Sequence, residues 1–236
     1  MIPKIIHIAW KTKNILDSDS IFIKNCIGNL VSLADRWDTI IYDDNDIDQY
    51  LKENLDRSDY QLLKPKHIIE KSDVWRLIKM YKEGGLYVDI DRLCNIPLDI
   101  IAADNIQVAL PTCMDLDFSQ DFMMSAPKNP IFMETLKLNL ERRYSGCDSV
   151  YYLGAQTYLH GIMISCFGKI IEQTENNIIK MREEFQMTNF ILTYRENPPY
   201  DTIIYRPQIS KVSFDHETEK RKFYAENNIK HWTGDW

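Results

Sequence analysis

Cysteine is scarce in this sequence, and its five cysteines form no recognisable pattern. They are odd in number, widely spaced and without any C-x-x-C pair, which argues against a disulfide framework and against a zinc site. A reducing compartment fits this usage best. The cysteines are Cys26, Cys94, Cys113, Cys147 and Cys166.

Long hydrophobic runs are also missing. No stretch approaches the roughly 18 consecutive apolar residues of a membrane-spanning helix. The first ten residues, 1–10, contain neither a long apolar core nor a small-residue cleavage site of the kind found in signal peptides. We therefore expect a soluble, cytoplasmic protein with no signal peptide and no membrane span.

An excess of positive charge is absent as well. The formal net charge is -7 and the pI is near 5.3, with no basic run that would attract a phosphate backbone. We therefore do not expect nucleic acid as a partner. A diphosphate ligand would meet the same repulsion locally, and a divalent cation that bridges carboxylates to phosphate oxygens would remove it.

The order of short strands and helices predicts one α/β domain over residues 1–236. Ile5–Trp10 and Thr39–Tyr42 are short apolar runs that end in polar residues, the latter at the acidic cluster 43–46. Between them, apolar residues recur at helical spacing from Phe22 to Leu33, so the first forty residues predict a strand-helix-strand unit. The later chain predicts strands at 107–110, 122–124, 191–193 and 202–205, and helices at 131–144 and 155–166.

The most informative segment follows a helix that we expect to begin near Pro65. Its apolar stripe continues to Tyr81 and is stopped by the Gly84-Gly85 pair. Residues 86–91 then alternate as a strand would, which places Tyr87, Asp89 and Asp91 on one face.

Five Asp-x-Asp pairs occur in the chain, so the motif alone is weak. Only Asp89 and Asp91 end an apolar strand, where ligands commonly bind in open α/β sheets. Two carboxylates there would suit Mn²⁺ or Mg²⁺, with phosphate oxygens and water as further ligands. The alternative is a solvated strand end. The remaining pairs are Asp17/Asp19, Asp44/Asp46, Asp46/Asp48 and Asp115/Asp117.

Two further residues, Asp73 and Arg76, lie three apart on the helix that precedes this strand. An ordinary surface ion pair is one interpretation. The apolar neighbours Trp75, Leu77 and Ile78 indicate a covered helix, however, and a covered ion pair is costly unless it serves a ligand or a network. His7, on the first apolar strand, is interpreted as a buried core histidine.

In their order and spacing, three segments resemble the successive motifs of glycosyltransferase family 32, the group with the Asp-x-Asp sugar-binding region. That family includes yeast initiating mannosyltransferases and bacterial capsule enzymes, and the catalytic domains of large clostridial glucosylating toxins share its core arrangement. Weaker matches lie at Gly154 and at residues 234–236. The three segments are Ile2–His7 followed by Trp10-Lys11, Lys71–Arg76, and Gly84–Asp91.

The resemblance implies a single GT-A type nucleotide-diphospho-sugar transferase fold, with a Rossmann-like mixed sheet flanked by helices. Residues 1–110 would bind the nucleotide sugar and the metal. Residues 111–236 would bind the acceptor and supply a carboxy-terminal segment that closes over the donor. The implied reaction is metal-dependent transfer of a hexose, with retention, from a UDP-sugar or GDP-sugar to a glycan, lipid-linked or protein hydroxyl.

The resemblance also assigns roles to individual residues. The implied catalytic set is Asp73, Arg76, Asp89 and Asp91. The implied donor-binding residues are Ile8, Ala9, Trp10, Asp73, Arg76, Tyr87, Asp89 and Trp236, with Trp10 at the base. The implied metal ligands are Asp91, Asp89 and His231, while Asp235 is an additional carboxylate near the end of the chain.

Two other functions are compatible with parts of the pattern. A non-catalytic module could bind a nucleotide sugar without transferring it, although such a module has less need of Asp73, Arg76 and Asp91 together. A metal-dependent phosphatase of the haloacid dehalogenase type also uses an Asp-x-Asp strand, but it has Thr two places later, where this chain has Leu93.

Overall fold

The computed structural model describes residues 1–34, 36–94, 97–103, 106–113, 117–186, 190–193, 204–205 and 216–229. Within these ranges the strands are Ile5–Ala9 (β1), Asp38–Tyr42 (β2), Gly85–Val88 (β3), Leu93–Cys94 (β4), Val108–Cys113 (β5), Asp117–Phe118 (β6), Phe122–Ser125 (β7), Phe190–Thr193 (β8) and Ile204–Tyr205 (β9).

The α-helices of the same ranges are Ile21–Ser32 (α1), Asp44–Asn54 (α2), Arg57–Leu63 (α3), Ile68–Lys82 (α4), Leu98–Ile101 (α5), Pro130–Tyr144 (α6), Thr157–Phe167 (α7), Glu175–Gln186 (α8) and His216–Glu226 (α9). A 3₁₀ turn covers Lys13–Asp17, and a π-helix covers Tyr152–Gln156 immediately before α7.

One mixed seven-stranded sheet organises the molecule. β1 lies between β2 and β3 and is parallel to both. β3 pairs antiparallel with β7, and β7 pairs antiparallel with β5, which also contacts β6 and β8. β4 and β9 form a separate antiparallel pair. The predicted mixed α/β sheet is therefore confirmed, and β3 is the strand at which parallel pairing gives way to antiparallel pairing.

Helices cover both faces of the sheet because alternate strand residues enter two separate apolar cores. Leu86 and Val88 pack in the core that contains α1, whereas Tyr87 packs in the core that contains α4, α6 and α7. At the second core, α7 approaches α6 closely. A Cβ added to Gly161 would lie 2.0 Å from the Thr135 hydroxyl, so only glycine fits at this contact.

The acidic cluster after β2 is a helix start and not the loop that the sequence predicts. The Asp43 side chain accepts hydrogen bonds from the backbone N–H groups of Asn45 and Asp46, and the Asp46 side chain accepts one from the Asp43 N–H. This capping box opens α2, whose few buried residues give only a weak apolar pattern. It also assigns a structural role to one of the competing Asp-x-Asp pairs.

The helix before the Asp-x-Asp strand starts later than expected. α4 begins at Ile68, with the His67 side chain accepting from the Ile69 N–H, so Pro65 precedes the helix. Its end is as predicted: Gly84 and Gly85 have φ of 68° and 91°, values that L side chains rarely adopt. The chain therefore turns sharply from α4 into β3.

His7 is a core residue, as the sequence indicates. It is fully buried, with Nε2 2.9 Å from the Gly84 carbonyl oxygen and Nδ1 3.1 Å from the Tyr42 hydroxyl. Burial lowers the pKa of His7 to about 4, and the Gly84 hydrogen bond only partly opposes this shift. The histidine is therefore neutral at pH 7 and ties β1 to the α4–β3 turn.

Candidate donor-binding site

The site is built around the end of β3, which is shorter than the alternating pattern predicts. The strand ends at Val88, Asp89 follows it, and Ile90 and Asp91 lie in a turn. The Asp89 N–H donates to the Asp121 carbonyl oxygen at 2.8 Å, which fixes the first carboxylate beside β7. The predicted common face holds for Tyr87 and Asp89 but is wrong for Asp91, because the turn redirects it.

Asp89 lies on the α4 side of the sheet. Its Oδ1 accepts a hydrogen bond from the Tyr87 hydroxyl at 2.6 Å and lies 3.7 Å from Nη1 of Arg76. Burial raises the pKa of Asp89 to about 6, Arg76 opposes this shift, and the charge of Asp91 adds to it. Asp89 is thus a carboxylate in electrostatic contact with a second carboxylate, an arrangement that a cation would relieve.

Arg76 is the hub on the α4 side. Its guanidinium bonds Asp73 at 2.5 Å, donates to the Gln120 carbonyl oxygen at 3.0 Å, and lies over the Tyr87 ring at 4.7 Å. The Arg76 and Asp73 side chains are only 11% and 15% exposed. The pair is therefore covered, as the sequence predicts, and belongs to a network instead of the protein surface.

The π-helix brings Gly154 to the same place. The Gln120 side-chain amide donates to the Gly154 carbonyl oxygen at 2.9 Å. A Cβ at Gly154 would lie 3.6 Å from Asp73 Oδ2, so this backbone runs close to the acidic side chain. π-helical turns are frequent at functional sites. The structure thus joins the weakly matching Gly154 segment to Asp73, a contact that sequence spacing does not reveal.

Asp91 faces the other side and is 6% exposed. Oδ1 lies 3.0 Å from Nη1 of Arg92, and Oδ2 lies 2.6 Å from the Lys220 ammonium on α9. Arg92 is itself held by Asp121 at 2.6 Å. Among the described contacts, Asp91 is thus paired with two basic side chains and Arg92 with two acidic ones.

Trp10 follows β1 at the same edge of the sheet, and its backbone N–H donates to the Tyr42 carbonyl oxygen at 2.9 Å. The indole stacks on Phe223 of α9, with ring centroids 5.6 Å apart and planes 30° apart, and Tyr224 meets it edge-on at 6.3 Å. Ala9 and Trp10 are partly exposed, but Ile8 is 1% exposed and packs in the core. Only the backbone of Ile8 is therefore placed to line a ligand pocket.

A small groove of about 300 Å³ lies on the outer side of α9. It separates the helix from the start of α1 and is lined by residues that include Asp19, Ile21, Glu219 and Phe223. The Asp89 and Asp91 carboxylates are not among its lining residues. The space next to Asp91 is filled by α9 itself.

The described residues contain no group of three or more His, Cys, Asp or Glu side chains suited to hold a metal ion. Asp89 and Asp91 supply two carboxylates, which is enough for a cation that takes its other ligands from a diphosphate and water. The Lys220 ammonium at Asp91 shows that this position accepts a positive charge. The residues therefore fit Mn²⁺ or Mg²⁺. His231, Asp235 and Trp236 lie outside the described residues.

Four residues at the site escaped sequence reasoning: Gln120, Asp121, Lys220 and Phe223. Gln120 and Asp121 immediately precede β7 and act through backbone and side-chain contacts that no motif encodes. Phe223 and Tyr224 provide an aromatic signal in the late chain. That signal does not indicate which earlier residues they contact.

Comparison with known proteins identifies the region. Residues 9–107 match the family model described as "Glycosyltransferase sugar-binding region containing DXD motif". This part of the chain is similar to a glycosyltransferase sugar-binding region. It contains Trp10, Asp73, Arg76, Asp89 and Asp91, so the resemblance to glycosyltransferase family 32 is confirmed.

Two curated relatives with similar sequences come from yeasts. Inositol phosphoceramide mannosyltransferase 1 of Schizosaccharomyces pombe is 27% identical over 140 residues, which are 57% of this chain and 42% of the relative. Mannosyl phosphorylinositol ceramide synthase SUR1 of Saccharomyces cerevisiae is 29% identical over 137 residues, 58% of this chain and 34% of the relative. The chain thus spans less than half the length of either relative.

A solved structure titled "PaToxG Glycosyltransferase" has a similar fold, with a TM-score of 0.52 at 20% identity. The alignment covers 78% of this chain and 75% of that one. It extends well beyond the sugar-binding region, and with the mixed sheet it supports the GT-A-like α/β fold. In the part of the chain that the structure describes, no helix is long and apolar enough to cross a bilayer.

Proposed function

We propose that the protein is a metal-dependent retaining glycosyltransferase that moves a hexose from a nucleotide-diphospho-sugar to a hydroxyl acceptor. The observation that carries the proposal is the convergence of Asp73, Arg76 and Asp89 in one network, with Asp91 in the turn that follows Asp89, inside the matched sugar-binding region. A surface ion pair and a solvated strand end would not produce this network.

Asp73 and Arg76 would hold the donor sugar. Carboxylates accept hydrogen bonds from sugar hydroxyls, and the planar guanidinium can donate to hydroxyl or phosphate oxygens. Arg76 is held by Asp73, by the Gln120 carbonyl oxygen and by the Tyr87 ring, so its orientation is fixed before a ligand binds. Such preorganisation lowers the entropic cost of positioning the sugar for reaction.

Asp89 and Asp91 would hold the cation, and Ala9 and Trp10 would flank the base. Negative charge develops on the leaving phosphate oxygen as the sugar–phosphate bond breaks, and a bound divalent cation stabilises that charge. Arg76 lies 3.7 Å from Asp89 and would keep this carboxylate oriented. His231 and Trp236 remain candidates for further contacts to the metal and the donor.

Retention fits a front-face reaction in which the leaving phosphate oxygen accepts the acceptor proton. The sugar–phosphate bond breaks and the bond to the acceptor oxygen forms on the same face. The sequence offers no obvious nucleophile on the opposite face of the sugar. Because several relatives carry mannosyltransferase in their names, a mannosyl donor is the first to test.

The proposal is tested by calorimetric titration of GDP-mannose, GDP-fucose, UDP-glucose, UDP-galactose and UDP-N-acetylglucosamine, each with and without Mn²⁺. We expect one donor to bind only with Mn²⁺, and Asp91→Asn to abolish that binding. Asp19→Asn is the matched control, because the Asp19 side chain is fully exposed and the substitution removes the same charge. The anomeric configuration of the product, read by NMR, tests retention.

Two outcomes would move the assignment to another function. Mn²⁺-dependent binding with no hydrolysis or transfer in the presence of varied acceptors would indicate a non-catalytic binding module. Failure of every donor to bind in a metal-dependent way, together with hydrolysis of simple phosphate esters, would indicate a phosphatase.

A further inference from the structure

We infer that α9 is an internal cap on the donor site: Lys220 occupies the cation position at Asp91, Phe223 covers the indole of Trp10, and a metal-bound nucleotide displaces both. This inference rests on the proposed function. It concerns how the site is held before the donor binds.

The first step in the argument is the crowding at Asp91. One carboxylate oxygen is 3.0 Å from Arg92 and the other is 2.6 Å from Lys220. Mg²⁺ binds carboxylate oxygens at about 2.0–2.1 Å. A cation that close to Oδ2 would repel an ammonium bonded to the same oxygen, so one of the two basic side chains must leave when metal binds.

The second step identifies which one leaves. Arg92 is buried and anchored by Asp121 at 2.6 Å, and its backbone N–H is bonded to the Asp89 carbonyl oxygen. Lys220 reaches Asp91 from a helix 129 residues away in sequence. Moving Lys220 breaks its bond to Asp91 without disturbing the turn, whereas moving Arg92 would break the turn that carries Asp91.

The third step is that α9 covers the proposed base position at the same time. Phe223 is 3% exposed and stacks between Trp10 and Phe22, with centroids 5.6 Å and 5.5 Å away. The Lys11 ammonium donates to the Asn227 carbonyl oxygen at the end of α9. One helix therefore blocks the cation position and the aromatic face together, so metal and nucleotide displace it cooperatively.

The test is a titration of the protein with Mn²⁺ alone, in which the electron paramagnetic resonance signal of free Mn²⁺ measures binding. We expect Lys220→Met to bind Mn²⁺ about tenfold more tightly than the wild type, because the internal competitor is gone. Lys220→Arg keeps the charge and is expected to match the wild type. Lys222→Met is the matched control, since it removes the same charge from an exposed position of α9.

Hydrogen exchange of the α9 backbone amides gives a second readout that does not depend on activity. In the wild type, Mn²⁺ with GDP or UDP is expected to speed exchange in α9 about tenfold. In Lys220→Met, exchange is expected to be fast already. Circular dichroism of each variant verifies that the rest of the molecule remains folded.

The outcomes separate this inference from the proposed function. If Asp91→Asn abolishes Mn²⁺ binding but Lys220→Met binds no more tightly than Lys222→Met, the cap is refuted and the proposed function stands. Weaker Mn²⁺ binding by Lys220→Met, or slower exchange in α9 with Mn²⁺ and nucleotide, also refutes it. If neither the wild type nor Lys220→Met binds Mn²⁺, with or without GDP or UDP present, both fail.

Discussion

Arg76 lies 3.7 Å from Asp89, which places a helix residue and the first carboxylate of the Asp-x-Asp motif in one network. The contact crosses from α4 to the end of β3, and the Gly84-Gly85 turn makes it possible. α4 therefore forms one wall of the candidate site in addition to packing in the core.

Arg76→Met should lower the free energy of unfolding by about 3 kcal/mol, because it leaves the covered Asp73 carboxylate without its partner. It should also abolish metal-dependent donor binding. Urea unfolding and calorimetry measure the two effects. The Asp73→Asn/Arg76→Met double variant should lose less stability than the sum of the single losses, and strict additivity would show that the pair is not coupled.

His7 should make the protein sensitive to acid. Its pKa is lowered from 6.5 to about 4 in the folded state, so an unfolded chain binds a proton in this window while the folded one does not. Neutral His7 makes its full contribution to the free energy of unfolding above pH 6.5. This contribution is lost as the pH drops towards 4, by about 3 kcal/mol in total. His7→Gln cannot titrate, so urea unfolding across this range should show a smaller loss for the variant. Equal losses of unfolding free energy in the wild type and in His7→Gln over this pH range would contradict the prediction.

Gly85→Ala should destabilise the protein by about 2 kcal/mol or more, because Gly85 has φ of 91° and its new Cβ would lie 2.6 Å from the Ile5 carbonyl oxygen. Gly28→Ala is the control. Gly28 lies inside α1 with no atom within 4 Å of an added Cβ, so alanine should raise stability by up to about 1 kcal/mol. Thermal unfolding that ranked the two variants in the opposite order would refute this account of the turn.

Arg143→Met should cost about 3 kcal/mol of unfolding free energy. The Arg143 side chain is 1% exposed and bonds Glu70 at 2.6 Å, and it also donates to Asn139. Lys137→Met on the same helix removes a 61% exposed partner of Glu134 and should change stability by less than about 0.5 kcal/mol. Comparable losses in chemical denaturation would show that burial does not set the strength of these pairs.

The parts of the site that the sequence predicts are those with local signals. The apolar stripe of α4, the glycine pair and the alternation through β3 place Asp73, Arg76 and Asp89 correctly, because each signal lies within one element or turn. The same alternation is wrong for Asp91, since it cannot show where a strand ends and a turn begins.

The parts that the sequence does not predict depend on distant partners or weak patterns. α2 buries mainly Ile47 and Leu51, so in the sequence its acidic start resembles a loop. The helix start is defined by the capping interaction of Asp43. The pairing of Lys220 with Asp91 spans 129 positions and leaves no trace in local spacing. Domain division at residue 110 and the individual ligand roles remain predictions.

The distance along the chain between Asp91 and its partner on α9 has a consequence for protein synthesis. A ribosome releases the sheet strands β1, β3 and β7 well before residue 220, so the growing chain carries an Asp91 carboxylate that lacks its ammonium counterpart. During that interval, Arg92 is the described counter-charge to Asp91. The bond between Asp91 and Lys220 can therefore form only after α9 has been translated.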